Sequence, residues 1–146
     1  MKVLVIHGPN LNMLGKRDRR FYGDRALAEI NTALEKLAER LKVDLAIFQS
    51  NSEGAIVDFI QEEHGKADGI IINPGALGHY GLSLRDALAD ANLPVIEVHL
   101  SNIYAREEWR AKSVIAPISR GQISGLGWRG YLLALEAIVS EIKGKD

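Results

Sequence analysis

Cysteine is absent from the 146-residue sequence, which excludes both disulfide staples and thiolate chemistry. An excess of either charge is also lacking. Lys and Arg total 18 against 19 Asp and Glu, so no net field gathers nucleic acid or an anionic membrane. No apolar run is long enough to span a bilayer. The first, VLVI, leads into Gly-Pro and not into a small-residue cleavage site, so no signal peptide is expected and a cytoplasmic setting is. Repeats, low-complexity tracts and linkers are missing too. One domain over residues 1–146 is the expectation, long enough to bury a core.

What is present alternates. Short apolar runs stand at 3–6 (VLVI), 44–48 (DLAIF), 69–72 (GIII) and 94–98 (PVIEV), with a weaker one at 113–118 (SVIAPI). Their unbroken apolar character suits strands covered on both faces. Between them Leu27, Ile30, Leu34, Leu37 and Leu41 recur at steps of 3, 4, 3 and 4, one face of a helix with Asp24 as its expected N-cap. Ile56, Phe59 and Ile60 mark a second helix capped by Ser52. Leu84, Leu88 and Ala91 mark a third that ends before Pro94, and Leu132, Leu135, Val139 and Ile142 mark the last. Strands alternating with helices imply right-handed crossovers and a parallel sheet. Five strands favour a three-layer α/β domain of flavodoxin-like order 2-1-3-4-5.

Ligands of such sheets bind beyond the carboxyl ends of the strands, near the switch point. Strand 1 delivers HGPN with Asn10, and strand 3 delivers NPGALGH with Asn73, Gly75 and His79. Strand 4 delivers EVHLSN with Glu97, His99, Leu100 and Ser101, followed by Arg106 and Arg110. Each piece alone fits a turn, a core histidine or a solvated face, but together they converge on one edge. The loop after strand 1 adds Lys16, Arg17, Arg19, Arg20 and Tyr22. In a chain with balanced charge, such a local cationic cluster points to a small anionic ligand. GLGWRG at 125–130 spells a dinucleotide fingerprint, but too little chain follows for a second strand with a ribose-binding acid. The four histidines lack zinc-type spacing, and no metal site is expected.

HGPNLNMLG, SNSEG, IINPGA, LRDAL, IEVHLSN, AREEWR, ISGLG and GYLLAL, in that order along nearly the whole chain, resemble the type II 3-dehydroquinate dehydratase family. The resemblance implies a flavodoxin-like fold, a homododecamer of four trimers, no metal or cofactor, and a dehydration that proceeds through an enolate. It implies Tyr22 as base, Arg17 as the arginine that stabilises the transition state, and His99 as general acid oriented by Glu97. Asn10 would hold a water near the enolate oxygen. Substrate contacts would fall on Asn73, Gly75, Ala76, His79, Leu100, Ser101 and Arg110, with Asp86 reaching the site of a neighbouring subunit. Two departures stand out. Asp18 and Arg19 follow GKR where the family has Glu-Pro, and Gly78 and Gly81 replace the hydroxyl-bearing neighbours of His79.

The chemistry implied makes sense of the charge. A free tyrosine, with a pKa of ~10, is about one part in a thousand phenolate at pH 7, a deficit of ~4 kcal/mol. One guanidinium at ~4 Å contributes about as much at an effective dielectric near 20. Arg17 is the expected source. The alternative is a non-catalytic module of the same fold, either a phospho-receiver or a flavin binder. A receiver would need acids at the ends of strands 1 and 3, where His7 and Asn73 stand.

Overall fold

A computed structural model of the chain describes residues 1–144. The five strands are β1 (Lys2–His7), β2 (Asp44–Gln49), β3 (Gly69–Asn73), β4 (Val95–His99) and β5 (Gly121–Ser124). All pair in parallel, in the order β2-β1-β3-β4-β5. The helices are α1 (Arg19–Tyr22), α2 (Leu27–Leu41), α3 (Glu53–Glu63), α4 (Leu82–Ala91) and α5 (Arg129–Ile142). Strand side chains alternate between two cores. Val3, Val5, Ile71 and Val98 pack with Ile30 and Leu34 of α2 and Leu135 and Ile138 of α5. Leu4, Ile6, Ile70 and Ile72 pack with Ile56 and Ile60 of α3 and Leu84 and Leu88 of α4. Helices on both faces leave no wet side, so the strands read as continuous apolar runs. Among the described residues no helix is long and apolar enough to cross a membrane.

Two expectations fail. Residues 113–118 form no strand: Ala116–Ile118 is a 3-10 turn, and the fifth strand begins at Gly121. Pro117 has no N–H to give a ladder, and the Ser113 hydroxyl accepts from the amides of Ile115 and Ala116, curling the segment instead. Asp24 does not cap α2. The N-cap is Ala26, whose amide donates to the Glu29 carboxylate at 3.5 Å. Ser52 does cap α3, accepting from the Ala55 amide at 3.2 Å.

The start of α4 bears on Gly81. Gly81 offers no side chain, yet a Cβ there would lie 2.7 Å from the Leu77 carbonyl oxygen and 2.9 Å from Glu53 Oε2. That carboxylate, from α3, accepts from the Leu84 amide at 3.2 Å. An acid on the neighbouring helix thus performs the capping that a hydroxyl at position 81 would otherwise supply.

His7 ends β1 on the face covered by α2 and α5 and is fully buried. Its Nδ1 pairs with the Tyr131 hydroxyl and its Nε2 with Asn31 Oδ1, both at 2.8 Å. An amide oxygen only accepts, so Nε2 carries the proton and Nδ1 accepts from tyrosine. Burial lowers His7 to about 4, against the Asn31 bond. Burial likewise pushes the Tyr131 phenol up, against a hydrogen bond with Asn73. Both groups are neutral.

Protonation of His7 therefore opposes folding. Between pH 6.5 and about 4 the unfolded chain binds a proton that the folded chain refuses. This part of the stability is complete above pH ~6.5 and falls with pH, by up to about 3 kcal/mol. Urea midpoints at fixed protein concentration are expected to drop between about pH 7 and pH 4.5, before the carboxylates titrate. His7→Gln should flatten that slope, and an equally steep slope in the variant would assign the effect elsewhere.

Candidate active site

At the carboxyl edge of the sheet the loops after β1 and β3 cross in contact. The Gly8 amide donates to the Asn73 carbonyl at 2.8 Å. A Cβ at Gly8 would sit 2.4 Å from the Pro74 carbonyl oxygen, so only glycine fits. Asn10 and Gly75 both take left-handed conformations, at φ 70° and 58°. Asn51 Oδ1 accepts from the Asn10 amide, and Asn73 Oδ1 from the Gly75 amide. These turns open a cavity of about 110 Å³ at the switch point.

The cavity brings together Asn10, Arg17, Tyr22, Asn73, Gly75 and Ala76 with His79, His99, Leu100, Ser101 and Arg110. Two of the expected residues lie elsewhere. Glu97 is fully buried behind His99. Asp86 is exposed on α4, outside the cavity of its own chain. Pro9, Leu11, Ile103 and Arg106 complete the lining.

Arg106 is the residue whose part the sequence did not disclose. Four residues before Arg110, it reads as one face of a helix, but the segment forms two 3-10 turns, Ile103–Ala105 and Glu108–Arg110. Its side chain is only 7% exposed. Nη1 donates to the Tyr22 hydroxyl and to Ser101 Oγ, each at 3.0 Å, while Nε has no hydrogen-bond partner. Arg17, expected close to Tyr22, lies over its ring, 3.7 Å from the centroid. The phenol is therefore sandwiched, with one guanidinium on its face and another on its oxygen.

Tyr22 is presented by α1, a single turn with Asp18 as its cap. Asp18 Oδ1 accepts from the Arg20 amide at 3.0 Å, and the carboxylate pairs with the Arg20 guanidinium at 2.6 Å. The side-chain bond from Arg20 holds Asp18 below its ordinary carboxylate range. Asp18 thus starts the turn with a capping carboxylate.

The opposite wall is built on β4. Glu97 and His99, two residues apart, share the face turned toward α3 and α4, and His99 Nε2 donates to Glu97 Oε2 at 2.5 Å. Ser113 donates to Oε1 at 2.6 Å and Gln122 to Oε2 at 2.7 Å. Burial alone would push Glu97 up, but these three bonds and the charge of His99 hold it below its ordinary value. His79 stacks near His99, ring centroids 6.0 Å apart, and its Nδ1 donates to the Lys112 carbonyl at 2.7 Å. Burial lowers His79, against that bond.

Among the described residues three guanidiniums and two imidazoles face the cavity, and no acidic side chain does. Its chemistry suits a small carboxylate-bearing ligand. Among the described residues no group of three or more His, Asp or Glu is placed to hold a metal ion.

The sequence matches the family model described as "Dehydroquinase class II" over residues 1–139. It is 64% identical over 136 residues to the 3-dehydroquinate dehydratase of Roseiflexus castenholzii, covering 93% of this chain and 87% of that one. The 3-dehydroquinate dehydratase of Halothermothrix orenii is 58% identical over 142 residues, covering 97% and 96%. In structure the chain resembles the type II dehydroquinase of Butyrivibrio crossotus, with a TM-score of 0.92 at 44% identity, covering 94% and 97%.

The loop crossing predicts its own sensitivity. Pro74 O is a backbone atom and cannot swing aside for a Cβ at position 8. Gly8→Ala is expected to lose about 1–3 kcal/mol of stability and to weaken binding of small carboxylates, read by thermal shift and calorimetry. Wild-type values in both would mean that the crossing tolerates a side chain.

Proposed function

The chain belongs to the class II dehydroquinase family, and from that premise we propose that it dehydrates 3-dehydroquinate to 3-dehydroshikimate by anti elimination through an enolate. The observation that carries the reading is the Tyr22 hydroxyl held by a buried guanidinium in a cationic cavity without a facing acid.

The substrate is a carboxylated cyclohexanone with a weakly acidic C–H beside its ketone. Tyr22, as phenolate, takes that proton, and the C–H electrons pass into an enolate. Arg106 at the oxygen and Arg17 on the ring, with a water on Asn10, offset the negative charge that develops nearby. Collapse of the enolate expels the hydroxyl on the adjacent carbon, which takes a proton from His99 and leaves as water. Glu97 holds the imidazole in the orientation that donation needs. Arg110 has a side chain only 17% exposed and is braced by Glu107 at 2.7 Å. It is placed to bind the carboxylate, with Asn73, Gly75, Ala76, His79, Leu100 and Ser101 around the ring and its hydroxyls.

The reading includes assembly into trimers and a homododecamer. Asp86 is exposed on α4, and Tyr80 and Leu82 nearby are exposed apolar groups suited to a subunit contact. Asp86 would then reach a neighbour's cavity.

Absorbance of the conjugated enone product tests the activity directly. Tyr22→Phe should lower kcat by about 10²–10⁴ while KM changes little, and retained turnover would remove Tyr22 as base. Arg106→Ala should lower kcat by about 10²–10³. A smaller loss there than in Arg17→Ala would return the leading electrostatic role to Arg17.

A further inference from the structure

β5 carries a polar residue that packing does not require. Gln122 stands opposite Glu97 in the β4–β5 register. Its Nε2 donates to Glu97 Oε2 at 2.7 Å, and its Oε1 accepts from the Tyr104 hydroxyl at 2.6 Å. The same carboxylate oxygen receives His99 Nε2 at 2.5 Å. Four groups thus form one line, from a tyrosine 58% exposed at the surface to the imidazole in the cavity wall.

The direction of each bond is determined. An ionised carboxylate only accepts, so Gln122 turns its amino end inward, and the Tyr104 hydroxyl holds the carbonyl end outward. Reversing the amide would set oxygen against oxygen at Glu97. An amide N–H stabilises charge on Glu97 without delivering a proton to it. The more of that charge Gln122 and Ser113 satisfy, the less tightly the carboxylate holds the Nε2 proton, and the more readily the imidazolium gives up its other proton, on Nδ1.

We propose that Gln122, held by Tyr104, is a positioning residue for His99 acting through Glu97: it keeps the buried carboxylate ionised and aimed at Nε2, so that the imidazolium's other proton, on Nδ1, passes to the departing hydroxyl. This deepens the reading of His99 as general acid and rests on it. The cavity side of His99 also carries Arg17, Tyr22 and Arg106, together with two groups tied to its ring: His79, which stacks near it, and Arg110, whose charge is felt at His79. All of these line the cavity, away from position 122.

Gln122→Met keeps the bulk and removes the donor. Its expected effect is a kcat about tenfold lower with KM within about twofold, and a proton-donation limb of the kcat profile displaced upward by about half a pH unit. In a Glu97→Gln background the same substitution should cost nothing further. Gln122→Glu places two carboxylates on one proton, so turnover near neutrality should fall about 100-fold and the profile should gain an ionisation. Tyr104→Phe should cost about twofold to threefold in the same direction. At an exposed site, it preserves the test if Gln122→Met does not fold. NMR titration of the His99 ring without substrate supplies a readout independent of the reaction, and it too should move in Gln122→Met. An unchanged profile and an unchanged ring titration, or an equal loss in the Glu97→Gln background, would overturn the proposal. A fully active His99→Ala enzyme would instead overturn the general-acid reading.

Discussion

The site depends on where its one buried carboxylate sits. Glu97 lies behind the cavity wall, with both oxygens occupied by His99, Ser113 and Gln122. Arg17, Arg106 and Arg110 face the cavity with no acid among its lining residues. Glu107, outside the lining, already pairs with Arg110 at 2.7 Å and lies 3.8 Å from Arg106; a carboxylate within the cavity would add a further competitor for any anionic ligand. Set back from the cavity, Glu97 acts through the imidazole it bonds, and its charge is also felt at His79, while the guanidiniums face whatever enters. Positions 97 and 99 share a face of β4, so Glu97 sits two residues deeper along the strand, behind the imidazole that stands between it and the cavity.

Much of this was legible in the sequence because it follows from strong patterns. Unbroken apolar runs identified four strands and the two-sided burial that orders them, and the residues without a packing role gathered where those strands end. The fifth strand was not legible. GQIS needs only Ile123 to pack at a sheet edge, whereas SVIAPI carries more apolar residues but also a proline that bars it from a ladder. Asp24 looked like a cap because its residue type is right, but the acceptor is Glu29, in the helix's first turn. Arg106 was visible as one of several arginines. Its contact with the phenol depends on 3-10 turns that a four-residue spacing does not distinguish from a helix.

The departures from the family pattern share a logic. Asp18 starts the turn that bears Tyr22 by capping, where a proline would do so by restricting φ. Glu53 reaches across from α3 to cap α4 where a hydroxyl at position 81 would do so locally. In each case the backbone requirement persists and a different atom meets it. What alters is the dependence on charge, since both substitutes act as carboxylates.

The course of α5 has a practical corollary. This helix leaves β5 at the cavity edge and runs back beneath the sheet until Ile142 approaches Gly69, at the start of β3. Lys2, at the start of β1, lies beside the same strand end through the bond from the Asp68 amide to its carbonyl. Both described ends of the chain therefore emerge on the rim facing away from the arginines. A tether, reporter or surface linkage attached at either end would leave the mouth of the cavity pointing outward.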